Sequence, residues 1–250
     1  MGVTGRHTMV HTRSLAVAAS AFLLGDPRLA AGGSTELQSV LKNTHGSNDY
    51  GYPTDFTRGI MPKQAINSTN SGVFDTSTSQ TLYFFIDLKT SGPETLNAVI
   101  SALQPLRDQG YLTTLKDNST ITTGPVTVIG TGNTPLDMVG PVADRDYFYD
   151  APLEALAEPE YADITDLISP IASTNFAAAV GPVKGEKLSD KQIKALREQI
   201  QTAEERGIGA RYWGTPYYPI RTRNFVWRTL LEEGVGLLNA DDLDAVVEYF

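Results

Sequence analysis

Cysteine is absent from all 250 residues, which excludes disulfides, thiolate nucleophiles and cysteine-ligated zinc. Histidine is almost as scarce: the three copies are His7, His11 and His45, so imidazole catalysis is closed to everything beyond residue 45. No apolar run approaches the roughly 20 residues that cross a bilayer as a helix. No Gly-x-Gly-x-x-Gly or P-loop follows an expected strand, which argues against a nucleotide fold. Positive charge is also short: 20 Lys and Arg stand against 29 Asp and Glu, a net charge of −9. That balance excludes non-specific nucleic-acid binding and docking on anionic membrane through a basic face. It leaves many carboxylates, the usual ligands of hard divalent cations. Hydrophobic residues at 41% suffice for a real core.

The amino terminus has the form of an export signal. Arg6 and Arg13 precede an apolar run from Leu15 to Leu24, and small residues follow through Ala30, Ala31 and Gly32. Residues 1–32 are therefore expected to be a cleaved signal peptide and the protein to be secreted, with no transmembrane segment after cleavage. Asn67-Ser68-Thr69 and Asn118-Ser119-Thr120 are N-glycosylation acceptors that agree with this route. Residues 33–80 lack periodicity, and ten of the sixteen residues from Ala65 to Gln80 are Ser, Thr, Asn or Gln. So long a structureless stretch is unusual within a compact domain.

Regular structure is expected over residues 81–250. Leu82 to Ile86 is a continuous apolar run, as in a strand covered on both faces. A helix opens at Pro93 with Leu96, Val99, Ile100 and Leu103 on one stripe, and Pro105 ends or kinks it. Further strands are expected at 125–130, 146–150, 168–174, 209–213 and 235–239. Ser189 and Gln192 form a capping box for a helix carrying Ile193, Leu196 and Ile200. Another helix covers about 224–233, and Asp241 or Asp242 caps a last one. Strands alternating with helices imply parallel pairing with right-handed crossovers, an α/β fold. A (β/α)8 barrel is the favoured architecture, although six strands fall two short of closure.

Polar residues gather where the strands end. By period-two alternation Asp87 and Lys89 share a side, as do Arg211 and Trp213, with Asn133, Asp150 and Asn239 at other strand ends. A carboxylate beside an ammonium can hold a cation and neutralise an anionic oxygen, or form a plain ion pair. Arginine suits phosphate or carboxylate, while an indole suits a sugar ring, a quaternary amine or simply the core. Gly130-Thr131-Gly132-Asn133 reads as a tight βα turn, with a backbone phosphate cradle as the alternative.

Several segments together resemble the altered inheritance of mitochondria protein 6 family: Phe85 to Thr90, Pro105 to Thr114, Val126 to Pro135, Phe148 to Leu153, Ala210 to Trp213 and Leu238 to Leu243. The resemblance runs from about residue 73 to the end. It implies a PLC-like phosphodiesterase, a TIM-type barrel related to glycerophosphodiester phosphodiesterases and sphingomyelinase D, cleaving a phosphodiester lipid head group with Mg2+. It also implies that Asp87 binds metal, that Lys89 contacts phosphate, and that Trp213 and Asn239 lie near the head-group pocket. The family's opening motifs, with both catalytic histidines and two further metal carboxylates, should fall between about Pro62 and Val73 and are missing. His45-Gly46-Ser47-Asn48-Asp49-Tyr50 imitates one of them without its paired histidine, and His45 is the sole candidate catalytic histidine. The barrel is thus expected to lack its first two β/α units through an internal deletion near 64–65.

Three functional readings follow. The first is a phosphoric diester hydrolase-like protein of lipid metabolism, impaired in catalysis. The second is an inactive remnant with only a binding role. The third is a secreted glycosidase barrel using Asp87 and Asp150, which would have to stand roughly 5–10 Å apart.

Overall fold

A computed structural model describes residues 80–250 and the backbone of one strand at Ala18–Leu23. The expected signal-peptide cleavage site, the 33–79 segment, His45, Asn67 and the expected junction near 64–65 lie outside the described residues.

The fold is α/β, built on one six-stranded parallel sheet whose strands follow one another in chain order. They are β1 (Ala18–Leu23), β2 (Leu82–Leu88), β5 (Val126–Gly132), β6 (Phe148–Pro152), β7 (Ile171–Asn175) and β8 (Gly209–Trp213). A small antiparallel hairpin, β3 (Thr114–Lys116) and β4 (Thr120–Thr122), stands apart. Helices follow the strands as α1 (Gly92–Ala102), α2 (Gln104–Asp108), α3 (Leu136–Val139), α4 (Phe176–Ala179), α5 (Asp190–Glu204), α6 (Ile220–Glu232) and α7 (Leu243–Tyr249).

Strand alternation divides the side chains into two rows. The outer row of β2 and β5, with Phe84, Ile86, Leu88 and Val128, packs under Leu96 and Val99 of α1. The outer row of β6 to β8, with Ala151, Ala172, Ala210 and Tyr212, packs under Leu196 and Ile200 of α5 and Val226 and Leu230 of α6. The inner row is a separate cluster of Phe85, Ile129, Phe148, Ile171 and Leu237. Strands buried on both faces explain why Leu82 to Ile86 shows no alternation in its sequence.

The sheet curls. The Arg211 guanidinium of β8 lies 4.4 Å from the ring centroid of Phe85 on β2. Those strands are four positions apart, roughly 19 Å in a flat sheet at about 4.8 Å per strand. Only a concave inner face brings the two side chains together. The hairpin closes the amino-terminal end of that concavity, with Leu115 fully buried in the inner cluster and Ile121 packed on it.

The expected helices form with the expected signals. Pro105 falls just after the break at Leu103, so the early helix divides into α1 and α2. Ser189 and Gln192 complete both halves of the capping box on α5. Asp242 caps α7 by accepting from the Ala245 N–H at 3.0 Å. Helix α6 begins at Ile220, one turn before the expected start at about 224.

Two expectations need correction. Residues 235–239 do not form a strand; only Leu237 bridges Arg211 in parallel fashion. The Gly236 and Leu237 N–H groups both donate to Ala210 O at 3.0 Å, so the chain bends there instead of continuing a ladder, and Gly236 sits so near β8 that an added Cβ would stand 2.5 Å from the Gly209 Cα. The sixth strand is instead β1, drawn from the apolar run read as an export signal and paired with β2 from Ala18↔Tyr83 to Leu23↔Leu88.

Gly236→Ala is expected to force the two backbones apart and lower stability by about 1–3 kcal/mol, read from the midpoint and slope of urea unfolding.

Candidate active site

Strands β2, β5, β6, β7 and β8 each deliver an inner-row polar residue to the carboxyl end of the sheet: Asp87, Thr131, Asp150, Ser173 and Arg211, joined by Asn239 after the Leu237 bridge. This is where α/β folds build sites, because helix-bound chain turns leave a rim of free side chains there.

Arg211 is the centre of the group. It is 9% exposed, donates from Nη1 to Ser173 Oγ at 3.2 Å and from Nη2 to Asn239 Oδ1 at 2.6 Å, and stacks on Phe85. Its Nε has no partner among the described residues and is shut off from solvent. Burial lowers its pKa and Asp150 works in the opposite sense, followed by Asp241 and Asp87. With so high an ordinary pKa, the guanidinium remains charged.

Asp150 is the most perturbed acid. Desolvation raises its pKa to about 6, opposed by the Ser173 side chain, the Arg211 charge and the Thr131 side chain. Its Oδ1 is buried without a hydrogen-bond partner. Asp87 presents a similarly unpartnered Oδ1, while its Oδ2 lies 2.6 Å from Lys89 Nζ. Gly132 makes this possible: at φ +67 it takes a backbone shape that suits glycine, and a Cβ there would stand 2.3 Å from Asp87 Oδ1.

The structure thus brings together Asp87 with Lys89, a pair that alternation places on one side, and Arg211 with Asn239, a contact that the sequence does not indicate. Trp213 stands at the end of β8 on the same side as Arg211 and is 45% exposed, a rim residue. The turn at Gly130 to Asn133 is structural: the Asn133 N–H donates to Leu88 O at 2.8 Å and its Nδ2 to Thr90 O at 3.0 Å. Asn118 is exposed in the β3–β4 turn with φ 50, a position open to modification. Alternation puts Phe85 behind Asp87, and Thr131 lies in the strand-end turn already singled out, but sequence reasoning missed Ser173 as a site member. Its strand carries no other polar residue marked by the sequence, and its role comes from Arg211, 38 positions away.

Magnesium fits this set poorly. Hard cations need several oxygen ligands, and among the described residues no three acidic or imidazole side chains converge. Lys89 and Arg211 already serve the two carboxylates that are present.

Comparison with known proteins places these residues in context. The AIM6-like phosphodiesterase domain profile matches residues 56–150, ending on Asp150. An altered inheritance of mitochondria protein 6 homolog from Arthroderma benhamiae is 53% identical over 185 residues, 73% of this chain and 57% of that protein. The chain belongs to this family. Altered inheritance of mitochondria protein 6 from Eremothecium gossypii is 32% identical over 189 residues, covering 71% of this chain and 49% of its own length. The Zygosaccharomyces rouxii protein is 30% identical over 201 residues, 74% and 49% of the two chains. The chain therefore spans about half the length of the curated family members it matches. No solved structure matches significantly.

The Asp150 carboxyl holds its proton more tightly folded than unfolded, so folding is favoured below about pH 4 and loses that advantage as pH rises through about 6. Urea unfolding between pH 4 and 7 should show a decline of about 1–3 kcal/mol from this group, and Asp150→Asn should remove it.

Proposed function

We propose that this chain is a phosphoric diester hydrolase-like protein of lipid metabolism that binds the phosphate of a glycerophosphodiester or lysophospholipid but is impaired in cleaving it. Its architecture is that of a PLC-like (β/α)8 barrel short of its first two β/α units. The observation that carries the reading is the Arg211 guanidinium held at the strand ends by Ser173 and Asn239 over Phe85, with the Asp87–Lys89 pair on the same rim.

A phosphodiester carries one negative charge over two free oxygens. Each Arg211 Nη keeps a hydrogen beyond the one given to Ser173 or Asn239, and Lys89, half-exposed beside Asp87, adds a compact charge. Ser173 and Asn239 hold the guanidinium in place, so little side-chain freedom is lost on binding. Asp150 acts against an incoming anion while ionised, and protonation relieves the repulsion.

Cleavage needs more than binding. A general acid and base each supply roughly 10²–10⁴-fold. Asp150, at a pKa of about 6, is the one described acid at the mouth poised to exchange a proton near neutrality. Lys89 is paired with Asp87, and Arg211 is held by Ser173 and Asn239, which supports a binding role over turnover. Family membership supports the phosphodiester reading over the glycosidase one, which would need Asp87 and Asp150 free to act as an acid and base pair.

Calorimetric titration with glycerophosphocholine tests this reading. Binding is expected, weakened about tenfold or more by Arg211→Gln and by Lys89→Gln, each of which removes a charge-assisted hydrogen bond. Affinity should rise as pH falls from 7 to about 5.5, because an anionic ligand favours protonated Asp150. Magnesium-dependent release of choline or glycerol phosphate at rates typical of an enzyme, abolished by Asp87→Ala, would restore full catalysis and defeat the impairment.

A further inference from the structure

The turn leaving β8 displays apolar surface where a water-soluble protein ordinarily displays charge. Tyr217 is 85% exposed, Tyr218 72% and Ile220 58%, and Trp213 stands beside them at the end of the strand. All lie within nine residues of Arg211, on the carboxyl-end rim that carries the phosphate-recognising side chains. The local charge also departs from the rest of the chain. From Trp213 to Asn224 there is no acidic residue and there are two arginines, Arg221 and Arg223, in a protein of net charge −9.

We infer that this turn is an interfacial anchor that seats the rim on a zwitterionic phospholipid surface. Tyrosine and tryptophan favour the head-group layer, where the ring is shielded and the polar tip stays wet. An isoleucine beside them reaches the acyl boundary, and an exposed arginine meets lipid phosphate. The overall negative charge sets the lipid type, since an anionic bilayer would repel the body of the protein. A ligand cage of aromatics would bury its rings, and these are mostly solvent-facing. The inference rests on the phosphate reading for its purpose, because docking here would bring lipid phosphates to Arg211 and Lys89. Its measurement is separate.

The experiment is sedimentation of the full chain with phosphatidylcholine vesicles, with and without about 1 M salt, where the Debye length is about 3 Å. Binding that persists in salt is expected, and the combined variant Tyr217→Ser, Tyr218→Ser, Ile220→Ser should lower the partition coefficient about tenfold or more. Trp213 supplies a second readout, since the other tryptophan, Trp227, is buried. Vesicles should shift wild-type emission to the blue, and brominated lipid should quench it. The serine variant should still bind glycerophosphocholine, while Arg211→Gln should still bind vesicles, so failure of one reading is distinct from failure of the other. Absence of wild-type binding, equal binding by the serine variant, or binding only to anionic vesicles and lost in salt would overturn the proposal. So would self-association without vesicles that the serine variant abolishes, which would mark the surface as a protein contact.

Discussion

A buried guanidinium lying on an aromatic ring organises this molecule. The 4.4 Å approach of Arg211 to Phe85 joins β8 to β2 across the concave face, and it is feasible only because the intervening strands bend inward. Removing arginine from water is costly, and three groups offset that cost here: the hydroxyl of Ser173, the amide oxygen of Asn239 and the ring face of Phe85. Each comes from a different part of the chain, so the curvature of the sheet and the placement of one cation are a single structural fact.

The two rows of side chains divide the labour. Under α5 and α6 the outer row combines three small residues, Ala151, Ala172 and Ala210, with one large ring, Tyr212. The inner row starts apolar at the floor, where Leu115 of the hairpin fills the space, and turns polar only at the rim. Change from core to site thus takes one step of two residues along each strand, from Phe85 to Asp87, Ile129 to Thr131, Phe148 to Asp150 and Ile171 to Ser173. A low-dielectric floor directly beneath a polar rim is the arrangement that raises the proton affinity of Asp150.

Much of this was legible from residue order. Five of the six expected strands form, and the helix signals at Ser189, Gln192 and Asp242 act as local chemistry requires. Pairing of Asp87 with Lys89 follows from alternation alone. The departures have physical causes that periodicity does not encode. Residues 235–239 look like a strand by composition, yet two successive N–H groups, of Gly236 and Leu237, share the Ala210 carbonyl and only one bridge forms. The hairpin at 114–122 is too short and too polar for a period to register. Ser173 was hidden because its importance comes from a partner 38 positions away, and a hydroxyl in a strand carries no sign of what it will meet.

One consequence of the β1–β2 ladder concerns maturation. Ala18–Leu23 contributes a complete parallel register to β2, and the same residues form the apolar heart of the segment that reads as an export leader. Peptidase removal of that leader would strip β2 of a neighbour and bare its row of amide and carbonyl groups, the surface by which sheets recruit other chains. With the leader kept, Ala18–Leu23 is the outer strand of the sheet; were it cleaved, β2 would take that place.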